Sequence, residues 1–213
     1  MNEIIQQVFQ GIVDGDQDVV SESVDAALQA GLPARTILDE GMLAAMAEVG
    51  CRFEQGEFYV PEMLVSARAM KAGLAKLQPS LKETNVQAAG IVAIGTVKGD
   101  LHDMGKNLVV MMLEGAGFQV TNLGVDVPPE KFVEAVNDGA NLIGLSAMLT
   151  TTMLNMKTTI EALQEAGVRD KVKVMVGGAP LNQTFADQIG ADGFAKDAGS
   201  AVRKAKELLH SAA

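Results

Sequence analysis

The spacing of apolar positions changes character near the middle of the chain. Up to about residue 77, apolar side chains recur at intervals of three and four, which predicts amphipathic helices. Four such helices fit the pattern, over 2–13, 16–28, 33–52 and 61–77. Because short Gly-, Pro- and Asp-containing segments separate them, the pattern predicts a bundle of four antiparallel helices.

From Ala89 onward, short apolar runs alternate with helical patterns. Strands are predicted at 90–96, 118–123, 141–146, 172–177 and about 191–194, with helices at 105–116, 128–138, 151–166, 181–188 and 198–210. The helical connections are long enough to make every strand pair parallel. The predicted fold class is therefore α plus α/β. A helical cap domain, residues 1–84, precedes a Rossmann-like (flavodoxin-like) domain with a five-stranded parallel sheet, residues 89–213, and a polar linker runs from Gln78 to Ala88.

One loop of the second domain combines a carboxylate with an imidazole. His102 lies between the first predicted strand and the helix that follows it, at the carboxyl edge of the sheet, where open α/β folds bind ligands. Asp100 precedes it by two residues, so in an extended loop both side chains point the same way. The carboxylate can then accept a hydrogen bond from one ring nitrogen while the other nitrogen coordinates a metal.

Composition and charge exclude several classes of protein. With 48% hydrophobic and 21% charged residues the chain is globular, and its net charge of −10 argues against binding nucleic acid. A single cysteine, Cys51, excludes an internal disulfide. A basic start followed by an apolar core is missing from residues 1–30, and the apolar runs fall short of the ~20 residues that span a membrane. We therefore expect a soluble, cytoplasmic protein without membrane contact.

The loop also carries a family resemblance. Asp100-x-His102-x-x-Gly105, followed by Ser146-Ala147-Met148 and by Gly177-Gly178, resembles the motif set of cobalamin-binding domains, with Met148 where that family has leucine. These domains hold the corrinoid base-off/His-on, so that a protein histidine replaces the cofactor's own base on cobalt. The resemblance implies that His102 is the metal ligand and that the cofactor is cobalamin, in its methylated form methylcobalamin.

The predicted bundle resembles the cap of methionine synthase and of small methyl-carrying corrinoid proteins. The similar segments are 53–57, 59–62 and 66–70, and the resemblance implies that an aromatic residue near Pro61 covers the reactive face of cobalt. Phe58 and Tyr59 are the candidates, and the register of the similar segments favours Tyr59. Together the two resemblances cover nearly the whole chain and indicate the family of small two-domain corrinoid proteins that serve methyltransferases.

The resemblance assigns a set of residues to the cofactor: Gly99, Asp100, Leu101, His102, Asp103, Gly105, Ser146, Thr150, Thr152, Gly177, Gly178, Ala179 and Tyr59. Glycines at 95, 99, 105, 177 and 178 are expected to let the backbone approach the corrin ring. Ser146 is assigned to the tail base, and Thr152 is the best candidate to extend the His102–Asp100 pair into a proton relay. Lys106 is a candidate for the phosphate or propionamide groups.

The function implied is a corrinoid methyl carrier, which accepts a methyl group on Co(I) from a substrate:corrinoid methyltransferase. A second enzyme, a corrinoid:tetrahydrofolate or thiol methyltransferase, would then take the methyl group, and a reductive activase is a further possible partner. Two alternatives remain at this point, a cobalamin-dependent sensor or regulator and the small subunit of a cobalamin-dependent mutase. A DNA-binding head is disfavoured because residues 1–84 hold 13 acidic and 6 basic residues. A flavodoxin-like nucleotide-binding module is a third alternative, but it would leave His102 without a role.

Overall fold

The computed structural model describes residues 2–83 and 88–210. The chain forms two compact units, the first made of residues 1–87 with 115–117 and the second of residues 88–114 and 118–213. Within the described ranges, every helix is too short or too polar to cross a membrane. The architecture confirms the predicted fold class, a helical region followed by a parallel α/β sheet.

The first unit opens with two helices whose ends carry capping residues. Helix α1, Glu3–Asp14, begins where the Asn2 side chain accepts a hydrogen bond from the backbone N–H of Ile4, and it ends at Gly15 in a left-handed conformation. Helix α2, Gln17–Gln29, begins at Asp16, whose carboxylate accepts from two backbone N–H groups of the first turn.

The remaining two helices depart from the predicted pattern in detail. Helix α3 has three consecutive segments: Ala34–Thr36 and Ala44–Glu54 are α-helical, and Ile37–Leu43 between them is π-helical. Helix α4, Val60–Glu83, passes through Pro79, so the prediction that the linker begins at Gln78 is wrong. Leu77 and Leu81 are buried one turn apart on either side of the proline, and their burial sustains the helix. The rest of the predicted linker, 84–87, lies outside the described residues, as does residue 84 at the predicted end of the cap domain.

The second unit is a five-stranded parallel sheet with order β2-β1-β3-β4-β5. Its strands are β1 Ile91–Val97, β2 Gln119–Val127, β3 Leu142–Ser146, β4 Lys173–Gly177 and β5 Gly193–Ala195. Its helices are α5 Met104–Gly115, α6 Pro129–Asn137, α7 Leu154–Glu165, α8 Gln183–Gln188 and α9 Ala198–His210, with a 3₁₀ turn at Arg169–Lys171. The buried strand residues are almost entirely apolar, as both faces of a parallel sheet require.

The strand order fixes where a ligand site can lie. From β1 the chain moves outward to β2 and then returns to place β3 on the other side of β1. The loops that leave the carboxyl ends of β1 and β3 therefore diverge at a topological switch point, where doubly wound sheets bind their ligands. These two loops, residues 98–103 and 147–153, contain Asp100, His102 and Thr152.

The edge strand β2 is longer and less regular than predicted. The sequence pattern placed its end at residue 123, but the strand continues to Val127, with shifts of register opposite Gly95. A Cβ atom on Gly95 would lie 2.9 Å from the Phe132 ring. The expectation that Gly95 lets the backbone approach the corrin ring is therefore wrong, because the Phe132 side chain of the core fills the space beside this glycine.

Candidate functional site

The site is built around a hydrogen bond between Asp100 and His102. The loop after β1 brings the Nδ1 atom of His102 to 2.8 Å from Oδ1 of Asp100, the contact that their spacing predicts. The Asp100 side chain is completely buried, whereas 56% of the His102 side chain is exposed. The buried carboxylate thus anchors one side of an imidazole whose other side faces solvent.

Asp100 accepts five hydrogen bonds, which arrive from both loops of the switch point. Oδ1 accepts from the His102 ring and from the His102 backbone N–H (3.1 Å). Oδ2 accepts from the Thr152 hydroxyl (2.6 Å) and from the backbone N–H groups of Met148 (2.8 Å) and Leu149 (3.4 Å). Burial by itself would raise the pKa of Asp100, but the bonds from Thr152, Met148 and His102 outweigh it and hold that pKa well below its usual range. Asp100 is therefore a fixed anion at neutral pH.

The ionised carboxylate decides the tautomer of His102. Because Asp100 can only accept, Nδ1 of the neutral imidazole must carry the ring hydrogen. The lone pair is then on Nε2, on the exposed side of the ring, where it can bind a metal ion. The arrangement is that of a histidine ligand oriented by a carboxylate.

The rest of the loop is held by backbone and side-chain bonds on each side of Asp100. The Thr96 hydroxyl donates to the His102 carbonyl (2.9 Å), and Asn155 Nδ2 donates to the Lys98 carbonyl (2.7 Å). Gly99 has a φ of +81°, a conformation that glycine adopts without steric cost, and this explains why a glycine precedes Asp100. Asp103 accepts from Asn107 Nδ2 (2.9 Å) at the start of α5, and Gly105 next to it faces open space.

Exposed apolar side chains lie on the two loops of the site and at the start of α5. Leu101 precedes His102 in the loop after β1, Met104 is the first residue of α5, and Met148 and Leu149 come from the loop after β3. Met104 is 85% exposed, which is unusual for an apolar residue and typical of a surface that receives a ligand or partner. Leu101 and Met148 belonged to the predicted set or its motifs, whereas Met104 and Leu149 did not. Their signal in the sequence was an apolar residue within a loop rather than within a helix or strand.

The ends of β3 and β4 meet at the predicted glycine pair. Ser146 is paired with Gly177, and the Ala147 N–H donates to the Gly177 carbonyl (3.3 Å). Gly178 has a φ of +139°, and a Cβ atom there would lie 1.8 Å from the Ala147 carbonyl oxygen. A side chain at 178 is thus excluded by the neighbouring loop itself. Thr150 and Ala179, both exposed, lie on the loops that follow Ser146 and Gly178.

Tyr59 is in the first unit, immediately before α4. Its side chain is 66% exposed, and its backbone N–H donates to the Glu62 carboxylate (2.9 Å) at the start of the helix. The ring is therefore available for contact with a ligand.

Lys106 is buried rather than directed to solvent. Its ammonium donates to the side-chain oxygens of Asn107 (2.7 Å) and Asn122 (2.8 Å), which ties the start of α5 to the edge strand β2. Burial lowers its pKa, and the positive end of the α5 dipole is an unfavourable place for a cation. The suggestion that Lys106 meets a phosphate or propionamide group is not supported by these contacts.

Replacing Lys106 by methionine is expected to leave the protein as stable as the wild type or more stable by up to about 2 kcal/mol near neutral pH. The change removes a buried cation, while Asn107 Oδ1 still accepts from Asn122 Nδ2 and Asn122 Oδ1 still accepts from the Gly124 N–H. The pKa of Lys106 is lower in the folded state than its ordinary value of 10.5. The free-energy cost of burying the charged ammonium therefore decreases as pH rises toward that value. The stability advantage of the variant should shrink between about pH 7 and about pH 10. Urea unfolding of both proteins at the two pH values measures the difference, and a variant that is less stable at both would contradict the assignment.

The fold and the site together define an α/β cofactor-binding protein that presents a carboxylate-oriented histidine at the switch point of its sheet. The sequence profile of the B12 binding domain matches residues 90–204, and a second B12 binding domain profile matches residues 4–78. The chain therefore belongs to the B12-binding family of corrinoid proteins.

Similar proteins match the chain over nearly its full length. It is 44% identical over 209 residues to dimethylamine corrinoid protein 1 of Methanosarcina mazei, which covers 97% of this chain and 96% of that protein. It is 43% identical over 211 residues to the trimethylamine corrinoid protein of Methanosarcina barkeri, with coverage of 98% and 97%. Among solved structures, it superposes on the methanol:cobalamin methyltransferase complex of M. barkeri with a TM-score of 0.85 and 29% identity, covering 98% of this chain and 80% of that chain.

Proposed function

We propose that this protein is a methyl carrier of a methylamine methyltransferase system and that it binds its corrinoid base-off with His102 on the metal. The observation that carries the proposal is the saturated, buried carboxylate of Asp100, which fixes the ring hydrogen of His102 on Nδ1 and leaves Nε2 exposed. The names of the dimethylamine and trimethylamine relatives support methylamines as the class of methyl donor.

The residues of this site fit a corrinoid. A corrin ring is a broad disc, and exposed apolar surface is offered by Leu101, Met148 and Leu149 on the two loops and by Met104 at the start of α5. Gly105 leaves open space where a side chain would stand. When bound, the corrinoid supplies a cobalt centre that takes up and gives up the methyl group.

The protein's own residues tune this chemistry through one ring nitrogen. His102 Nε2 would bind the metal of the corrinoid while the imidazole is neutral, and Asp100 keeps the ring in the tautomer that this requires. Nε2 has a single lone pair, so it can bind a metal or a proton but not both, while Asp100 Oδ1, 2.8 Å from Nδ1, holds the ring in place. Protonation and ligation therefore compete for the same nitrogen atom.

Thr152 stabilises the negative charge of Asp100 in this scheme. Its hydroxyl donates to Asp100 Oδ2 (2.6 Å), and its other protein contact is the Leu149 carbonyl (3.1 Å), which is also an acceptor. A hydroxyl between two acceptors can donate its hydrogen to one of them but receives none from either. We therefore infer that Thr152 supports the charge of Asp100 instead of passing a proton onward.

The cofactor tail is assigned to the ends of β3 and β4. Ser146, Thr150, Gly177, Gly178 and Ala179 lie there, with hydroxyl groups on one strand end and exposed backbone on the other. Thr150 and Ser146 would donate to or accept from the tail, and the glycine pair would let the loop after β3 pack closely against the end of β4 beside it.

The partners proposed are a methylamine:corrinoid methyltransferase, a corrinoid:tetrahydrofolate or thiol methyltransferase and a reductive activase. A reconstitution tests this: the corrinoid-loaded protein is incubated with ¹⁴C-dimethylamine, reductant and a dimethylamine methyltransferase, and then the label on the protein is counted. We expect label only when the methyltransferase is present, with methanol and an aryl methyl ether as negative donors. Repeated turnover of dimethylamine by the isolated protein, or failure of methylamine methyltransferases to label it, would contradict the proposal.

The helical unit is proposed to protect the methyl group. Tyr59→Ala in the full chain is expected to increase the rate at which bound methylcobalamin loses its methyl group under illumination, because an aromatic ring that covered the methyl group would hinder its escape. The measurement is the decay of the methylcobalamin absorption spectrum at fixed light intensity, with Tyr59→Phe, which keeps the aromatic ring, as the matched control. Equal decay rates for Tyr59→Ala and the wild type would remove Tyr59 from the cofactor site.

A further inference from the structure

Asp126 has a backbone conformation that calls for an explanation. Its φ is +51°, and within residues 2–83 and 88–210 it is the one non-glycine residue with a positive φ. This conformation costs free energy for a residue with a Cβ atom, although aspartate and asparagine tolerate it better than most. Such strain persists where the surrounding structure imposes it, often beside functional sites.

The surrounding bonds show what the conformation achieves. At the irregular end of β2, the Asp126 carboxylate Oδ1 accepts a hydrogen bond from the Gly99 N–H (2.7 Å). The Asp126 N–H donates to the Asp100 carbonyl (2.9 Å). Asp126 thus binds the backbone at two points, the N–H of Gly99 and the carbonyl of Asp100, on either side of the peptide that joins these residues.

These bonds reach the site through a glycine that is itself unusual. Gly99 has a φ of +81°. The turn that precedes Asp100 therefore requires a residue in the left-handed conformation at position 99 and an acceptor for the N–H of that residue. Two further bonds hold this turn: Asn155 Nδ2 donates to the Lys98 carbonyl, and the Asp100 N–H donates to the Val97 carbonyl (3.1 Å). Asp126 therefore restrains Gly99 through its carboxylate and Asp100 through its backbone N–H, both from outside the loop.

We propose that Asp126 is a positioning residue for the His102–Asp100 pair. Its left-handed backbone aims its N–H and its carboxylate at the same turn, and the turn holds the Asp100 carboxylate where it can bind His102 Nδ1 and Thr152 together. The effect of Asp126 on coordination of cobalt by His102 rests on the proposed function. The geometry of Asp126, Asp100 and His102 is a property of the protein itself.

Three substitutions separate the two parts of the role. Asp126→Asn keeps an oxygen acceptor and tolerates the positive φ. Asp126→Gly keeps the backbone conformation and removes the acceptor, whereas Asp126→Ala removes the acceptor and disfavours the conformation. Asp138→Ala, which changes an exposed aspartate at the end of α6, is the matched control.

The readout is the tautomer of His102 in the protein without cofactor. The chain has two histidines, His102 and His210, so long-range ¹H–¹⁵N correlation spectra of the histidine-labelled protein contain few signals. In the wild type we expect His102 to carry its hydrogen on Nδ1. In Asp126→Gly and Asp126→Ala the ratio of the Nδ1–H to the Nε2–H tautomer should fall by about fivefold, the factor that loss of one ordinary hydrogen bond produces. Asp126→Asn and Asp138→Ala should retain the wild-type ratio.

Two results would overturn the proposal: a wild-type tautomer ratio in folded Asp126→Gly, or a loss in Asp126→Asn as large as in Asp126→Gly. If Asp126→Ala does not fold, the glycine and asparagine variants alone decide. The outcome is independent of the proposed function. If the tautomer ratio shifts in Asp126→Gly but the wild-type protein fails to bind cobalamin, the proposed function alone is contradicted. If the ratio is unchanged and the wild-type protein binds cobalamin through His102, this inference alone is contradicted.

Discussion

Replacing Asp100 by alanine is expected to lower the free energy of unfolding by about 3 kcal/mol or more, since it removes the acceptor from several buried donors at once. The Met148 N–H and the Thr152 hydroxyl both donate to Oδ2, and the His102 N–H donates to Oδ1. Water cannot replace the carboxylate at low cost because the Asp100 side chain is completely buried. The result would be loss of the geometry that links the loops after β1 and β3.

Urea unfolding at neutral pH measures this effect, with Asp103→Ala as the control from the same loop. Asp103 is exposed and accepts from the Asn107 side chain, so its removal should change stability by less than about 1 kcal/mol. Because the pKa of Asp100 is lower in the folded state, its contribution is complete above about pH 4 and declines as pH falls below that value. The difference between wild type and Asp100→Ala should therefore shrink in acid. A loss no larger than that of Asp103→Ala would show that the five bonds do not support the fold.

Replacing His102 by alanine is expected to remove the nitrogen ligand completely while leaving the protein folded and able to bind cobalamin. The ring is half exposed, and the Asp100 oxygen that it contacts still accepts from the backbone N–H of residue 102. The exposed apolar residues Leu101, Met104, Met148 and Leu149 and the proposed tail site remain in place, so they should retain the cofactor. Asp100→Asn should weaken coordination in the same direction but to a smaller extent, because the ring stays present without its fixed acceptor.

The measurement is the electron paramagnetic resonance spectrum of the Co(II) form of each variant, after gel filtration to remove unbound cobalamin. Leu101→Ala, which alters the neighbouring apolar side chain, is the matched control and should keep the nitrogen splitting. Loss of cobalamin binding in folded His102→Ala would show that ligation by His102 is what retains the cofactor, contrary to the division of roles proposed here.

Sequence patterns were sufficient for the parts of the molecule that depend on local order. The apolar run of β1 followed by the α5 pattern places His102 on a loop at the carboxyl edge, and the two-residue spacing predicts its contact with Asp100. The role of Thr152 as a partner of that pair was also accessible, because the hydroxyl cluster follows β3 next to the same switch point.

Other features depend on contacts between distant residues, which periodicity does not report. A proline ordinarily ends a helix, but buried Leu77 and Leu81 carry α4 past Pro79. Burial of Lys106 depends on an asparagine in β2, and the packing of Gly95 depends on Phe132 in α6. In each case tertiary packing overrides the local preference of the residue.

The most direct test of base-off, His-on binding is a comparison of isotopes in the Co(II) protein. Two samples of the wild-type protein are loaded with cobalamin, one with ¹⁴N and one with ¹⁵N in the base of the nucleotide tail, and their electron paramagnetic resonance spectra are recorded. If His102 is the ligand, both samples will show the same ¹⁴N superhyperfine splitting, and it will disappear in His102→Ala. Splitting that changes with the isotope in the tail base would show that the cofactor's own base remains on cobalt and would contradict the role assigned to His102.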